Sequence, residues 1–150
     1  MSNANRTGSR TPDYFSSFRL ATAVPVSLAS TGNAVVALPI LEGGIGSGSY
    51  IIRRITVSNP ANSAGGTVPS AATANVTILT SNDGNTSNAV TTAAGQTLGN
   101  VTAANTWQDL TLAAGAATTA YTANALFVKV GVAVANSTVQ ISVFGDVVSF

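Results

Sequence analysis

Twice near the end of the chain, apolar side chains fall on every second residue. Leu126, Val128, Val130, Val132 and Val134 alternate with Phe127, Lys129, Gly131 and Ala133. After Asn136-Ser137, Val139, Ile141, Val143 and Val147 alternate with Gln140, Ser142, Phe144 and Asp146. A period of two is the signature of a strand with one buried face, since successive side chains point to opposite sides of the sheet. Asn-Ser supplies a turn between the two runs. The pattern predicts an antiparallel hairpin whose apolar face covers a core.

The same period recurs upstream. Phe18, Leu20, Val24, Val26 and Leu28 share one face, with Arg19, Ala21, Ala23 and Ser27 on the other. Pro25 lacks an N–H for a ladder, so this strand is expected at a sheet edge or with a bulge. Ala34 to Leu41 is a second β-prone run, and Tyr50 to Ser58 a third. In the third run the alternation breaks at Arg53-Arg54, which predicts a bulge. Ala74, Val76 and Ile78 mark a fourth strand, ending in the turn Asn82-Asp83-Gly84-Asn85. Asn88 to Thr92 reads as a weak fifth strand and Thr106 to Leu112 as a further one. Ala113 to Thr122 is a connection of small residues. The Ala-rich stretches lack Leu, Glu and Lys at helical spacing. About eight short strands separated by turns predict an all-β fold, an antiparallel β-sandwich of jelly-roll type, over residues 18–150.

Composition narrows the functions open to such a fold. Apolar residues make up 45% of the chain and charged ones only 7%, with a net charge of +1. Apolar content on that scale supports a core, while copies with so little charge repel one another weakly and suit an assembly. Five Arg and one Lys form no stripe, so nucleic acid is not an expected partner. The chain has no Cys and no His, which removes disulfides, thiolate and imidazole metal ligands and His-based triads. Residues 1–17 contain no apolar signal segment, and the longest apolar run, Ala125 to Ala135, is too short for a membrane span. The expectation is synthesis in a cytoplasm, with no membrane partner.

Motif by motif, catalytic chemistry finds little support. The loop Gly43-Gly44-Ile45-Gly46-Ser47-Gly48 has Ser49 where a dinucleotide fingerprint needs Gly, and no Gly-Lys-Ser/Thr follows. It reads as an inter-strand loop. Asp13, Glu42, Asp83, Asp109 and Asp146 are scattered, so neither a carboxylate pair nor a calcium loop emerges. Asp83 reads as part of a plain turn. Lys129 reads as a solvated lysine protecting its strand. The expectation is no enzyme, with no catalytic, cofactor-binding or metal-binding residues. Trp107, the single tryptophan, could anchor a core or subunit interface or stack on a sugar. The first is favoured, because one ring rarely makes a platform.

Residues 1–17 (MSNANRTGSRTPDYFSS) are polar and cannot build a core. They are either a frayed terminus or an arm that orders on a neighbour. In the second case Arg6 and Arg10 are the polar anchors, and Tyr14 and Phe15 the apolar ones.

A polar arm, a Thr/Ala/Gly/Val-rich β domain without Cys or His, and a closing segment LFVKVGVAVANSTVQISVFGDVVSF (126–150) together resemble the capsid decoration, or cement, proteins of tailed bacteriophages. The resemblance implies a non-enzymatic structural protein of the virion exterior, often a homotrimer, that binds the major capsid protein and itself. The alternative is a carbohydrate-binding β-sandwich of a phage tail fibre or receptor-binding spike, with Tyr50, Trp107 and Tyr121 as its candidate aromatics.

Overall fold

The computed structural model describes residues 18–39 and 49–149. The predicted arm, with Arg6, Arg10, Tyr14 and Phe15, and the glycine-rich loop with Glu42 lie outside these residues. The strands are β1 (Phe18–Ser27), β2 (Gly32–Pro39), β3 (Ser49–Asn62), β4 (Asn75–Leu79), β5 (Gln96–Thr97), β6 (Trp107–Leu110), β7 (Ala120–Tyr121), β8 (Ala125–Val132) and β9 (Ser137–Ser149). No α-helix occurs among the described residues, and so none that could cross a membrane.

Two antiparallel sheets pack face to face. One runs β1-β9-β3-β6, with β7 added beside β3, and the other runs β2-β8-β4-β5. With β7 left out, every connection between successive strands crosses from one sheet to the other, except β4 to β5. With β7 set aside, this is the strand order of a jelly roll, two four-stranded sheets wound from one chain. Between the sheets lie Leu20, Val26, Tyr50, Ile52, Ile55 and Val57 from one side, and Val76, Ile78, Leu126 and Val128 from the other. Val90, Leu98 and Val101, from the connections, close the rim of the same core.

Alternation places most core residues correctly, although Val132, on the predicted buried face, is exposed at the end of β8, and the breaks in alternation mark real irregularities. Arg54 pairs with Phe144 while Ile52 pairs with Gly145, so β3 carries one extra residue at the two arginines, the expected bulge. Arg53 and Arg54 are consequently both exposed. β1 is an edge strand, and its register slips between Ala23 and Val26, around Pro25. A second slip between Arg19 and Ala21 turns both Leu20 and Ala21 inward.

Three sequence expectations are corrected. β8 and β9 do not form a hairpin: they belong to opposite sheets. Strands facing one another across a core show the same alternation as strands paired side by side. The turn at Asn136 (φ 56°) sends the chain across the sandwich, and Leu28 clamps it by donating to the Ser137 carbonyl and accepting from the Val134 N–H. Asn88 to Thr92 is not a strand but a segment with isolated bridges, Leu79 to Ala89 and Thr91 to Leu112. Its Thr91 hydroxyl accepts the Ile78 N–H at 3.0 Å, so a side chain does part of a ladder's work. Lys129 is not a solvated lysine: it is half-buried on β8, which lies between β2 and β4, and its amine donates to the Gly84 carbonyl at 2.9 Å.

Candidate functional site

The outer face of the β1-β9-β3-β6 sheet carries charged, hydroxyl, amide and aromatic side chains around one groove. Three rows of side chains cross it, each set by strand register. The first aligns Arg19, Phe144 and Arg54 on β1, β9 and β3. The second aligns Thr22, Ser142, Thr56 and Asp109 across all four strands. The third aligns Gln140, Ser58 and Trp107. All of these except Thr22 line an open groove of about 350 Å³.

The β3 bulge builds the first row. It shifts Arg54 to the outer face, where its guanidinium carbon lies 4.5 Å from the centroid of the Phe144 ring. A cation stacked on a ring is held in one orientation while its N–H edge stays available. Among the described residues Arg53 alone forms an ion pair, with Asp146 at 2.6 Å, and it also donates to the Ala117 carbonyl. Arg19 and Arg54 have no carboxylate partner there.

The middle row is tied internally. Thr56 donates to Asp109 at 2.5 Å, and the Thr22 and Ser142 hydroxyls lie 3.1 Å apart. A second irregularity in β3, between Ser58 and Ala61, places Asn59 at φ 49°. From there its amide donates to Gln140 Oε1 at 3.1 Å, and Gln140 in turn donates to Thr22. These cross-strand bonds hold the polar groups in place before any ligand arrives.

Trp107 stands at the far end, on edge strand β6, with 60% of its surface exposed. Trp107 is therefore not a core anchor, since register turns Leu110 and not Trp107 inward; its exposure leaves the subunit-interface and sugar-stacking readings standing. The other two proposed sugar-stacking rings do not join it. Tyr50 is fully buried, donating to the Ala123 carbonyl at 2.8 Å, and half-buried Tyr121 packs against it with centroids 6.0 Å apart. Burial, and secondarily the neighbouring Tyr121, pushes the Tyr50 phenol far above the usual tyrosine range.

The remaining acids do not converge. Asp83 accepts from Ser81, from the Asn85 N–H and from Asn88 within its own turn, and the Ser81 bond first of all holds its carboxyl below the usual range. No group of three acids that could hold a metal ion occurs among the described residues. Sequence reasoning missed Arg54, Phe144 and Gln140 as site residues. The Arg53-Arg54 break was the available signal, but only register reveals that it brings an arginine onto Phe144.

The chain is a jelly-roll β-sandwich with an open groove on the outer face of one sheet. Compared with protein-family models, curated proteins and solved structures, the chain shows no significant match to any.

Proposed function

We propose that the chain is a non-enzymatic structural protein of a phage virion. It decorates the capsid exterior by binding the major capsid protein and copies of itself as a trimer, after synthesis in the host cytoplasm. The observation that carries this reading is a jelly roll with almost no charge that leaves large apolar side chains in solvent. Val132 is 49% exposed beside the turn into β9, and Val148 is 47% exposed at the far end of that strand. Jelly rolls recur in viral capsid domains, but that analogy alone assigns nothing. The surface adds the physical argument, since exposed apolar residues that charges do not insulate are suited to contacts between copies. The described acids support a mechanical role. Asp83 serves its own turn, Asp109 binds Thr56 and Asp146 pairs with Arg53.

The test mixes the purified full chain with undecorated capsids and counts bound copies against the major capsid protein. Saturable binding is expected, with a trimer mass by light scattering. A monomer that leaves the capsids bare would refute the reading. One observation favours a second reading, a carbohydrate-binding sandwich of a tail fibre or spike: Trp107 is exposed on a groove lined by oriented hydrogen-bonding groups.

A further inference from the structure

We infer that the groove on the β1-β9-β3-β6 face binds a short acidic saccharide, with a sugar ring on Trp107 and a carboxylate at Arg54 and Arg19. The inference rests on the second, carbohydrate-binding reading of the face, and it does not depend on the capsid-decoration role.

Three observations carry it. The first is the exposed indole at one end. An indole face covers the apolar C–H side of a pyranose ring and leaves the ring's hydroxyls pointing outward. The second is the hydrogen-bonding strip beside it. Asp109 and Gln140 are already oriented by Thr56, Asn59 and Thr22, and each keeps further acceptor or donor capacity for hydroxyls. The third is the charge at the other end. Arg54, stacked on Phe144, and Arg19 across the same row have no carboxylate partner among the described residues. Arginine presents a planar fork that matches a carboxylate.

Spacing and sign fix the orientation. Ser58 in the Trp107 row and Arg54 are four residues apart on β3, about 13 Å at a rise of about 3.3 Å per residue. That distance exceeds one sugar ring and suits two linked rings. Asp109, beside Trp107, would repel a carboxylate, so the neutral ring takes the tryptophan end and the acidic ring the arginine end. The groove volume of about 350 Å³ lies near the lower limit of ligand pockets, about 300–1,000 Å³, which also favours a short ligand.

Because the chain has one tryptophan, its fluorescence reports on this groove alone. Full-length protein is titrated with 3′-sialyllactose and with digalacturonate, and with lactose as the neutral control. A saturable change in Trp107 emission is expected with at least one acidic probe, with lactose about ten-fold weaker, a difference of about 1.4 kcal/mol. By calorimetry, Trp107→Ala should abolish binding. Arg54→Gln should remove the preference for the acidic probe while retaining the weaker lactose level. Arg53→Gln should change neither. Circular dichroism checks that each variant is folded.

Lactose binding as tightly as both acidic probes would overturn the acidic assignment and leave the carbohydrate reading standing. No saturable change with any probe would overturn both. If, in addition, Trp107→Ala lost attachment to capsids, the face would be a protein-docking surface and the virion assignment would gain by it.

Discussion

At the scale of single residues, two buried hydroxyls show how far polar groups are tied into this apolar core. Tyr50 is fully enclosed, and its hydroxyl spends its proton on the Ala123 carbonyl. Replacing it by Phe leaves that carbonyl without its donor and should cost about 1 kcal/mol in urea unfolding. The same residue makes stability pH-dependent. Its pKa is raised in the folded state, so the folded chain holds the proton more tightly than the unfolded chain does. The contribution is intact below the unfolded pKa of about 10 and is lost as pH rises above it. Wild-type stability should therefore fall above about pH 10. Tyr50→Phe should flatten much of that fall, leaving a smaller slope from Tyr121, whose pKa burial also raises. An unchanged alkaline slope in the variant would refute the assignment. Thr91 is the second case. Thr91→Val keeps the shape but strips the buried Ile78 N–H of its acceptor. A loss of about 1–3 kcal/mol is expected, and Thr91→Ser should recover most of it.

At the scale of elements, the β3 bulge depends on a residue in the neighbouring strand. Gly145 lies between β1 and β3, paired with both Phe18 and Ile52. A Cβ there would collide with the Ile51 carbonyl oxygen and come within 2.8 Å of Leu20 Cδ1. Gly145→Ala should therefore destabilise by about 1–3 kcal/mol, whereas Gly99→Ala, with open space around it, should be close to neutral on the same urea curves. The bulge was legible in the sequence because two adjacent arginines cannot both continue an inward-outward alternation. The glycine opposite it was not, because close backbone approach is a property of the pair and not of either strand. The same limit explains β8 and β9. Alternation reports which face is buried, and Leu126 to Val130 and Val139 to Val143 were placed correctly on that basis. It does not report which strand lies alongside. The core placement of Trp107 failed for a related reason: with only four residues in β6, the phase of the alternation is carried by Leu110, and Trp107 falls three positions away on the outer side. The groove was illegible for the reason the hairpin was misread, since its rows exist only once four distant strands share a register.

At the scale of the whole molecule, the question is what residues 1–17 add to a sandwich whose described core begins at Leu20. The arm's composition of Asn, Ser, Thr, Gly and Arg offers little apolar area to bury, and the first period-two strand starts at Phe18. A truncated chain starting at Ser16 is therefore expected to fold with the same β signature. Its melting temperature should move by less than the roughly 2–4 °C that 1 kcal/mol produces in a chain of this size. Attachment to capsids should behave differently under the proposed decoration role. A segment that orders on its partner loses conformational entropy as it binds, so each arm contributes modestly. An arm worth about 1.4 kcal/mol changes the affinity of one subunit about ten-fold, and the effect compounds when a trimer engages through several arms at once. The comparison to make is full chain against truncated chain, titrated onto undecorated capsids at matched concentrations, with Arg6→Ala/Arg10→Ala and Tyr14→Ala/Phe15→Ala as partial versions. Each double substitution should fall between the full and truncated chains, because the polar and apolar anchors act on the same segment. Truncated protein that binds as tightly as the full chain would mean that residues 1–17 are a frayed terminus, and that the contacts to the shell come from the sandwich itself.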